Sequence, residues 1–377
     1  MLNFLRQLIK PKYASLNKIE IKAANVIANY NYLKSLQPTA EIFPVLKANA
    51  YGHGLKELCL ILNHTDAPLV VVDSFPEAQI VYHYFKRKVL ILGEMPLRAY
   101  HYCRFKRTEF VVYNEETLKH LSRFGKRAKV HLFANSGMNR EGIKDMAAFI
   151  AVNRRYLKRL DVVGLCSHLA AAEDNFVLNQ LQENNFLVAL DALRTAGFLP
   201  RWVHLGNSAA LFVLKNKLFT AYRPGLALYG YDPFGKASED RPLKPALEIY
   251  SHIVGLQELV AGEVVSYNEG YRALKPTRVA VIPFGYFEGL DRRLSNRAEF
   301  LVRAQGGDFW ARVAGNICMN LTCLDLNWQS AKVGDSVQLI SAQNEQVNSV
   351  LNLTAEIGMI PYEFLIRFQA NIRREIV

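Results

Sequence analysis

The sequence predicts an α/β protein, a (β/α)8 TIM-like barrel followed by a mostly β C-terminal domain. Short apolar runs alternate with helix-length segments about eight times in the first part of the chain, which is typical of a parallel barrel. After Gly230 the pattern changes to short apolar runs separated by glycine turns. A doubly wound open sheet is the alternative fold, but the chain contains no Gly-x-Gly-x-x-Gly turn of the kind that often opens it.

The predicted barrel strands are rich in Val, Ile and Leu, as expected of strands covered on both faces. They are Ile42–Ala48, Leu69–Asp73, Val89–Leu92, Phe110–Tyr113, Val130–Ala134, Val162–Ser167, Trp202–Leu205 and Leu218–Tyr222. The helix-length segments between them include Pro76–Phe85, Glu115–Phe124, Met146–Lys158 and Asn175–Thr195. We place this barrel domain at residues 13–240.

A linker and a second domain follow the barrel. The segment Tyr231–Pro245 is rich in proline, glycine and charge, which is typical of a linker. The predicted strands beyond it are Leu247–Leu256, Val279–Pro283, Phe300–Ala304, Ala311–Val313, Leu321–Leu326 and Ser336–Ile340, and a helix is expected near Val350–Gly358. We therefore predict a β-rich C-terminal domain over residues 241–377, with residues 1–12 packed on it.

The charge balance raises the question of a nucleic-acid partner. The 377 residues carry 46 Lys and Arg against 34 Asp and Glu, a net charge of +12, and 50% of them are hydrophobic. The basic runs Lys86–Lys88, Arg154–Arg159 and Arg292–Arg297 are far apart in the sequence and do not form a groove motif of alternating basic and aromatic residues. Solvated surface accounts for such runs better than a nucleic-acid groove, so we expect no nucleic-acid partner.

Cysteine usage and the chain start predict a cytoplasmic protein without a metal site. The five cysteines are scattered, and none stands in a Cys-x-x-Cys pair, so neither a disulfide framework nor a zinc site is expected. Residues 1–10 lack the continuous apolar segment of a signal peptide. No run of about 18 apolar residues occurs, so we expect no membrane partner.

The most informative segment is Pro44–Gly54, with the sequence PVLKANAYGHG. Lys47 ends the first predicted strand, and the active sites of barrels lie at the carboxyl ends of the strands. Burial beside Val45 and Leu46 favours the neutral amine, which is the nucleophilic form of a lysine. The alternative is a lysine whose stem packs along the strand end while its charge stays in solvent.

Three later strand ends carry further candidates. They are Ser167-His168, Gly206-Asn207-Ser208-Ala209 and Arg223-Pro224-Gly225-Leu226. The loops after the seventh and eighth strands often bind phosphate in this fold, because small residues leave backbone N–H groups open there. Taken singly, Asn207 fits a helix cap and His168 a core histidine. Their shared position at one end of the barrel favours a single site.

The lysine segment is similar to the pyridoxal-phosphate attachment motif of alanine racemases, which are fold-type III pyridoxal-phosphate enzymes. The resemblance runs in order along nearly the whole chain, from about Tyr13 to Arg374. Its further motifs are Ser136–Arg140, Ser167-His168, Gly206–Ala210, Arg223–Gly225, Val265–Tyr267, Phe284–Gly289, Cys318-Met319 and Tyr362-Glu363. It implies a divergent family member that uses pyridoxal 5'-phosphate and forms a homodimer with shared active sites.

The resemblance also implies a role for each matching residue. Lys47 would attach the cofactor and act as one of two acid/base groups, and Tyr267 from the other subunit would be the second. Arg140 and Met319 would bind the substrate, and Tyr286 would line the entrance. The cofactor-binding residues would be Lys47, Tyr51, Arg140, His168, Asn207, Ser208, Arg223, Gly225 and Leu226.

The chemistry of racemisation agrees with these roles. The α-proton leaves one face of the substrate and returns on the other, so two bases on opposite sides are required. Lysine and tyrosine both titrate near about pH 10 in water, so the site must tune both. Arg223 would face the pyridine nitrogen, and a guanidinium keeps its proton. It therefore weakens the cofactor as an electron sink and limits side reactions.

The sequence departs from the family pattern at several positions. In many alanine racemases a lysine, often carbamylated, lies seven residues before the arginine that matches Arg140. In this sequence that position is Phe133. We therefore expect Asn135 or a bound anion to orient Arg140. The other departures are Asn316 for a basic residue, Asn320 for an acid, Glu288 for an aspartate and Ala370 for a tyrosine placed on the phosphate.

These observations predict the interconversion of L-alanine and D-alanine, which would supply D-alanine for peptidoglycan. A broad-specificity amino-acid racemase is the main alternative, because the departures lie mostly at the entrance. A non-catalytic barrel that binds pyridoxal phosphate would not need Tyr267. A decarboxylase on the same barrel would normally place an acid at the pyridine nitrogen, where Arg223 stands.

Overall fold

The computed structural model describes residues 15–235 and 238–377, so the predicted packing of residues 1–12 lies outside the described residues. Its strands are β1 (Lys18–Ile21), β2 (Glu41–Ile42), β3 (Leu69–Val72), β4 (Lys88–Ile91), β5 (Thr108–Val112), β6 (Lys129–Phe133), β7 (Asp161–Cys166), β8 (Trp202–His204), β9 (Ala221–Tyr222), β10 (Leu247–His252), β11 (Gly255–Leu259), β12 (Val264–Val265), β13 (Tyr271–Arg272), β14 (Thr277–Ile282), β15 (Glu299–Ala304), β16 (Gly307–Val313), β17 (Thr322–Asp325), β18 (Ser336–Ile340) and β19 (Arg373–Ile376). Its α-helices are α1 (Ala23–Leu36), α2 (Leu55–Leu62), α3 (Phe75–Tyr84), α4 (Glu115–Leu121), α5 (Met146–Leu157), α6 (Phe176–Thr195), α7 (Ala210–Val213), α8 (Val350–Glu356) and α9 (Pro361–Leu365).

Strands β2 to β9 form the predicted barrel. Each strand from β3 to β8 pairs in parallel with the next along the chain, and β2 pairs in parallel with β9. A parallel bridge between Val45 and Val71 closes one side, and the Thr220 N–H bonds to the Val203 carbonyl at 2.9 Å on the other. The (β/α)8 prediction is therefore confirmed.

The barrel strands are buried on both faces, which explains their unbroken apolar sequences. Outward-facing residues pack under the helices, and inward-facing residues form a cluster in the barrel centre. Burial of one such side chain contributes about 1.5–3 kcal/mol. The inward cluster is Phe43, Val45, Leu69, Val71, Leu90, Val111, Phe133, Cys166, Trp202 and Ala221.

Polar side chains fix where three barrel helices begin. The side chains of Asn114, Asp145 and Asn175 each accept a backbone N–H from three residues later, at 2.8, 2.9 and 2.9 Å. Such a cap contributes about 1 kcal/mol. Helices α4, α5 and α6 therefore start at or within one residue of their predicted positions.

The C-terminal domain is built on a nine-stranded sheet of order β11-β14-β17-β16-β15-β18-β10-β1-β19. Sequence analysis did not predict β1, which pairs antiparallel with β10 and parallel with β19. The single run predicted over Leu247–Leu256 is two strands, because Ile253 and Val254 bond to the carbonyls of Asp335 and Val281, respectively. In the part of the chain that the structure describes, no helix is both long and apolar enough to cross a membrane.

The segment after β2 leaves the barrel in a left-handed turn. The strand ends early because Pro44 has no N–H to donate, although the Leu46 N–H still bonds to the Val71 carbonyl at 2.7 Å. The turn that follows Lys47 costs about 1–2 kcal/mol for each residue with a side chain. Its residues, all with φ between 52 and 54°, are Ala48, Asn49, Ala50 and Tyr51.

The C-terminal domain holds this turn in place. The Arg374 guanidinium on β19 donates to the Gly52 carbonyl from Nε at 3.1 Å and from Nη2 at 2.8 Å. Gly52 has φ 80°, and a Cβ at this position would overlap the Leu365 carbonyl oxygen of α9. Since the surroundings must balance the backbone strain, the position of Lys47 depends on both domains.

We expect Gly52→Ala to lower the free energy of unfolding by about 2–5 kcal/mol, since an unfavourable φ and a steric overlap add together. Gly262→Ala is the matched control, because Gly262 has φ 96° with open space around it. It should cost only about 1–2 kcal/mol. Urea denaturation measures both values, and equal losses would contradict the close contact between Gly52 and α9.

Candidate active site

A cavity of about 930 Å³ lies at the carboxyl ends of the barrel strands. Active sites of this fold occupy the same end. Helix α9 and the residue before it complete the wall through Ile360, Tyr362 and Glu363. Nine predicted site residues line the cavity: Lys47, Tyr51, Arg140, His168, Asn207, Ser208, Arg223, Gly225 and Leu226.

Lys47 is half-buried in this cavity, at the point where the left-handed turn begins. Two residues earlier, the Val45 N–H bonds to the Pro224 carbonyl at 3.0 Å. The Val45 carbonyl in turn accepts the Tyr229 hydroxyl at 2.8 Å. The strand end that carries Lys47 is therefore fixed against the segment that carries Arg223.

Ser208 and Gly225 form a cradle of hydrogen-bonding groups beside Lys47. Ser208 Oγ accepts the N–H groups of Gly225 at 3.0 Å and Ala227 at 3.2 Å. A Cβ at Gly225 would overlap Tyr51 Oη, so only glycine allows this approach. Burial raises the pKa of Tyr51 to about 12, so its hydroxyl stays protonated. The hydroxyl groups of Ser208 and Tyr51, both beside Gly225, can donate to an anion there.

Asn207 and His168 combine structural roles with positions in the cavity wall. Asn207 Oδ1 accepts the Ala210 N–H at 3.0 Å and so supports the start of α7. Burial, together with the positive charges of Arg223 and Arg140, lowers the pKa of His168 to about 3. His168 therefore presents a neutral ring to the cavity at pH 7.

Arg223 is buried against the cavity. Its Nη1 lies 2.6 Å from His204 Nδ1 and donates to the His204 carbonyl at 2.7 Å. Its Nη2 donates to the Ser167 carbonyl at 2.5 Å and lies 3.5 Å from His168 Nδ1. Burial lowers the pKa of Arg223, but a guanidinium remains protonated at neutral pH.

A chain of buried polar side chains continues from His204 through the barrel. His204 Nε2 lies 2.8 Å from His131 Nδ1, and His131 Nε2 lies 2.9 Å from Glu109 Oε2. Lys88 Nζ donates to Glu109 Oε1 at 2.8 Å. Because Arg223 can only donate to His204, both imidazoles must carry their proton on Nε2, so every histidine N–H points toward Glu109. We call this set the Arg223–Lys88 chain.

Sequence analysis missed the inner members of this chain. Lys88, Glu109 and His131 lie two residues before Leu90, Val111 and Phe133, which face into the barrel. Side chains alternate between the two faces of a strand, so these polar residues face inward as well. A charged or imidazole side chain at an inward position was the signal that could have found them.

Arg140 enters the cavity from the loop between β6 and α5, where its partner is Glu141. Arg140 Nε and Nη2 donate to the two Glu141 carboxylate oxygens at 2.5 and 2.7 Å. This hydrogen bonding raises the pKa of Arg140. Asn135, the expected partner, instead accepts the backbone N–H groups of Gly137 and Asn139 at 3.1 and 3.2 Å. Sequence analysis therefore missed Glu141, although the adjacent Arg-Glu pair was visible.

Three predicted site residues do not line the Lys47 cavity. Tyr267 and Tyr286 line a second, more open depression of about 1130 Å³ on the C-terminal domain. The two cavities share Glu363 and Ile366, so they lie side by side. Met319 borders neither of them and is 56% exposed. Within one chain, Lys47 and Tyr267 are therefore separate.

The comparisons with known proteins agree with this architecture. The alanine racemase N-terminal domain matches residues 21–233, and the alanine racemase C-terminal domain matches residues 246–376. The alanine racemase of Geobacter sulfurreducens is 33% identical over 370 residues, which are 94% of this chain and 95% of that protein. The chain belongs to the alanine racemase family. It is therefore an amino-acid racemase, an isomerase.

Solved structures of alanine racemases have the same fold. The Clostridium difficile 630 alanine racemase aligns with a TM-score of 0.87 at 27% identity, covering 97% of each chain. The Bacillus anthracis alanine racemase with bound L-Ala-P aligns with a TM-score of 0.86 at 25% identity, covering 97% of this chain and 96% of that one. The barrel and the β domain thus correspond over nearly their full length.

The departures from the family pattern are accommodated within this chain. Asn320 Nδ2 donates to Glu288 Oε1 at 2.9 Å, so an amide and a carboxylate pair where two acids would repel. Asn316 Nδ2 donates to the Tyr267 carbonyl at 2.7 Å and so supports the loop that carries this tyrosine. Ala370 does not line the cavity, whereas Tyr362 does. The ring centroids of Tyr362 and Tyr51 are 5.9 Å apart.

In residues 15–235 and 238–377, no group of three or more His, Cys, Asp or Glu side chains is arranged to hold a metal ion. All five cysteines are free.

We expect Glu109→Gln to lower the free energy of unfolding by about 3 kcal/mol at pH 7, because it removes the buried charge that pairs with Lys88 and accepts a hydrogen bond from His131. Burial alone would raise the pKa of Glu109, but hydrogen bonds from His131 and Lys88 lower it to about 2. This contribution should therefore be complete above about pH 4.5 and disappear as the pH falls toward about 2.

Glu115→Gln is the matched control for this prediction, since Glu115 forms an exposed ion pair with Lys119. It should cost less than about 0.5 kcal/mol. Chemical denaturation of the three proteins between pH 3 and pH 7 measures the effect. Equal losses of unfolding free energy in both variants would contradict the role of Glu109. The same holds if the difference in unfolding free energy between the wild type and Glu109→Gln does not shrink as the pH falls.

Proposed function

We propose that this racemase interconverts L-alanine and D-alanine with pyridoxal 5'-phosphate, using Lys47 and Tyr267 of the partner subunit as its two bases. The observation that carries the proposal is the convergence of Lys47, Arg140 and Arg223 with the Ser208–Gly225 cradle in one cavity. Two guanidinium groups and the hydroxyl donors of the cradle suit an anionic cofactor and a carboxylate substrate, and Lys47 supplies the amine that attaches the cofactor.

The residues present fit pyridoxal phosphate. Ser208, Gly225 and Tyr51 would hold the phosphate, because their polar atoms converge on one cradle, and Asn207 and Leu226 would flank it. When bound, the cofactor supplies the electron sink that makes the substrate α-proton removable. The Bartonella henselae alanine racemase, which shares this fold at 23% identity, is described with covalently bound pyridoxal phosphate.

Arg223 would face the pyridine nitrogen, while the neutral His168 would lie against the ring. Since the guanidinium keeps its protons, it would leave that nitrogen without one and so limit side reactions. Nη1 of Arg223 is held by His204 and Nη2 by the Ser167 carbonyl. The Arg223–Lys88 chain would therefore fix both the charge and the orientation of this group.

The two bases would act from opposite faces of the substrate. Lys47 would hold or accept the proton on one face, and Tyr267 of the partner subunit would do so on the other. Tyr267 is 69% exposed, and its backbone is fixed because Ser266 Oγ donates to the Asn316 carbonyl at 2.6 Å. An exposed tyrosine on a fixed loop suits insertion into the cavity of a second copy. Two such sites would form in a two-fold homodimer.

The substrate would be bound by Arg140 and Met319, with Tyr286 at the entrance. We also propose that the protein works in the cytoplasm, which agrees with its five free thiols, and that its D-alanine supplies peptidoglycan.

Broad specificity is the second candidate function. The Asn320–Glu288 pair favours it, because it changes the polarity beside Tyr286 and Met319.

We expect the protein to bind pyridoxal phosphate and to exchange the α-proton of alanine in D2O, as followed by NMR. Borohydride reduction should leave the cofactor on the Lys47 peptide, because hydride addition to the C=N bond of a lysine Schiff base gives a stable secondary amine. Exchange in L- and D-alanine alone supports an alanine racemase, whereas exchange across a panel of amino acids supports broad specificity. Cofactor binding without exchange would indicate a non-catalytic barrel, and release of CO2 would indicate a decarboxylase.

We expect Tyr267→Phe to suppress α-proton exchange by at least about 100-fold for one enantiomer and much less for the other, since general acid–base catalysis contributes about that much. Tyr102→Phe is the control, because Tyr102 is similarly exposed on the barrel. Equal, mild losses for both enantiomers would show that Tyr267 is not a base.

We expect a mixture of Lys47→Ala and Tyr267→Phe subunits to regain about a quarter of the wild-type activity. About half of the dimers would be mixed, and each mixed dimer would contain one intact site of two. Each variant alone should remain inactive in racemisation, which needs both bases, although Tyr267→Phe keeps α-proton exchange for one enantiomer. A mixture as inactive as its components, after confirmed subunit exchange, would contradict shared sites.

A further inference from the structure

We propose that Glu141 is a positioning residue that holds Arg140 in the orientation required by the bound cofactor and substrate carboxylate. The inference rests on the proposed function and deepens it, because it assigns the group that takes the place left by Phe133. Glu141 follows Arg140 directly in the sequence, so the protein itself supplies the anion.

The contact between the two side chains is bidentate. Arg140 Nε and Nη2 reach the two carboxylate oxygens at 2.5 and 2.7 Å, the geometry that fixes a guanidinium most strongly in direction. Both residues line the Lys47 cavity. Because Nε and Nη2 bind Glu141, Nη1 of Arg140 can donate to an oxygen of a bound ligand. Water is excluded once the cavity is filled, which strengthens such a pair.

The backbone around the pair is also fixed. The loop closes on the end of β6, since the Ile143 N–H bonds to the Phe133 carbonyl at 2.8 Å and the Asn135 N–H to the Ile143 carbonyl at 2.9 Å. A Cβ at Gly142 would come within 2.7 Å of Phe133 Cδ1. The loop therefore packs on the Phe133 ring, and Glu141 is held beside Arg140 rather than in open solvent.

Phe133 cannot orient a guanidinium through charge. Its ring belongs to the apolar cluster in the barrel centre, where it provides packing. Asp73 also lines the cavity and contributes a longer-range attraction to Arg140. The hydrogen bonds come from Glu141, so removal of its carboxylate should release the Arg140 side chain.

The test uses Glu141→Ala and Glu141→Gln in the full-length protein. We expect kcat/KM for alanine to fall by about 10-fold or more in both, since a hydrogen bond to a charged group contributes on that order. Titration of each apoprotein with pyridoxal phosphate should give a Kd several-fold above the wild-type value. Added formate, a small carboxylate, should restore both quantities in Glu141→Ala by occupying the vacated position.

The matched control is Glu299→Ala, because Glu299 and Arg312 form a pair of similar exposure far from the cavity (32% and 63%, against 25% and 56% for Glu141 and Arg140). This variant should match the wild type and show no response to formate. A second comparison isolates the pair: adding Glu141→Gln to Arg140→Ala should produce no further loss of activity or cofactor affinity.

Wild-type kcat/KM and Kd values in the Glu141 variants would overturn the assignment. So would an equal effect of formate on Glu141→Ala and Glu299→Ala. A full further loss of activity on adding Glu141→Gln to Arg140→Ala would also overturn it. Thermal melts distinguish a loss of function from a loss of stability, since all variants should melt within a few degrees of the wild type. If the wild-type protein neither binds pyridoxal phosphate nor exchanges the alanine α-proton, the proposed function fails instead. The two failures are thereby distinguishable.

Discussion

The buried guanidinium of Arg223 constrains the interior of the barrel more than any other group. Burial of an unpaired charge costs several kcal/mol, so the surroundings must provide acceptors for its donors. The His204 and Ser167 carbonyls and His204 Nδ1 do so. Satisfying His204 requires His131, and satisfying His131 requires Glu109. One cation at the cavity therefore accounts for a polar chain that runs through an otherwise apolar barrel.

The second domain acts on the site through the left-handed turn after Lys47. Backbone strain at four consecutive residues persists only where neighbouring structure holds it. Arg374 binds the Gly52 carbonyl, and α9 packs against Gly52 and contributes Tyr362 to the cavity wall. The β domain is therefore part of the active site even before a second subunit is considered. Strand β1 strengthens this link, because the chain joins the β sheet before it forms the barrel.

The departures from the family pattern show how hydrogen bonding is preserved when residue types change. Asn320 replaces an acid and donates to Glu288, and Asn316 replaces a basic residue and supports the Tyr267 loop. Glu141 contacts Arg140 at the place where Phe133 carries no charge. In each case the residue present here forms a hydrogen bond within this chain.

The sequence by itself determined the barrel and the β domain, and its resemblance to the family named the nine residues that share the Lys47 cavity. Strand periodicity and helix caps are local signals, and the carboxyl ends of parallel strands must meet at one end of a barrel. Only the tertiary structure decided that β1 joins the second sheet, that Glu109 and His131 support Arg223, and that Glu141 pairs with Arg140. These pairings depend on contacts between residues distant in the sequence or on the path of a loop. A local sequence pattern specifies neither such contacts nor such a path.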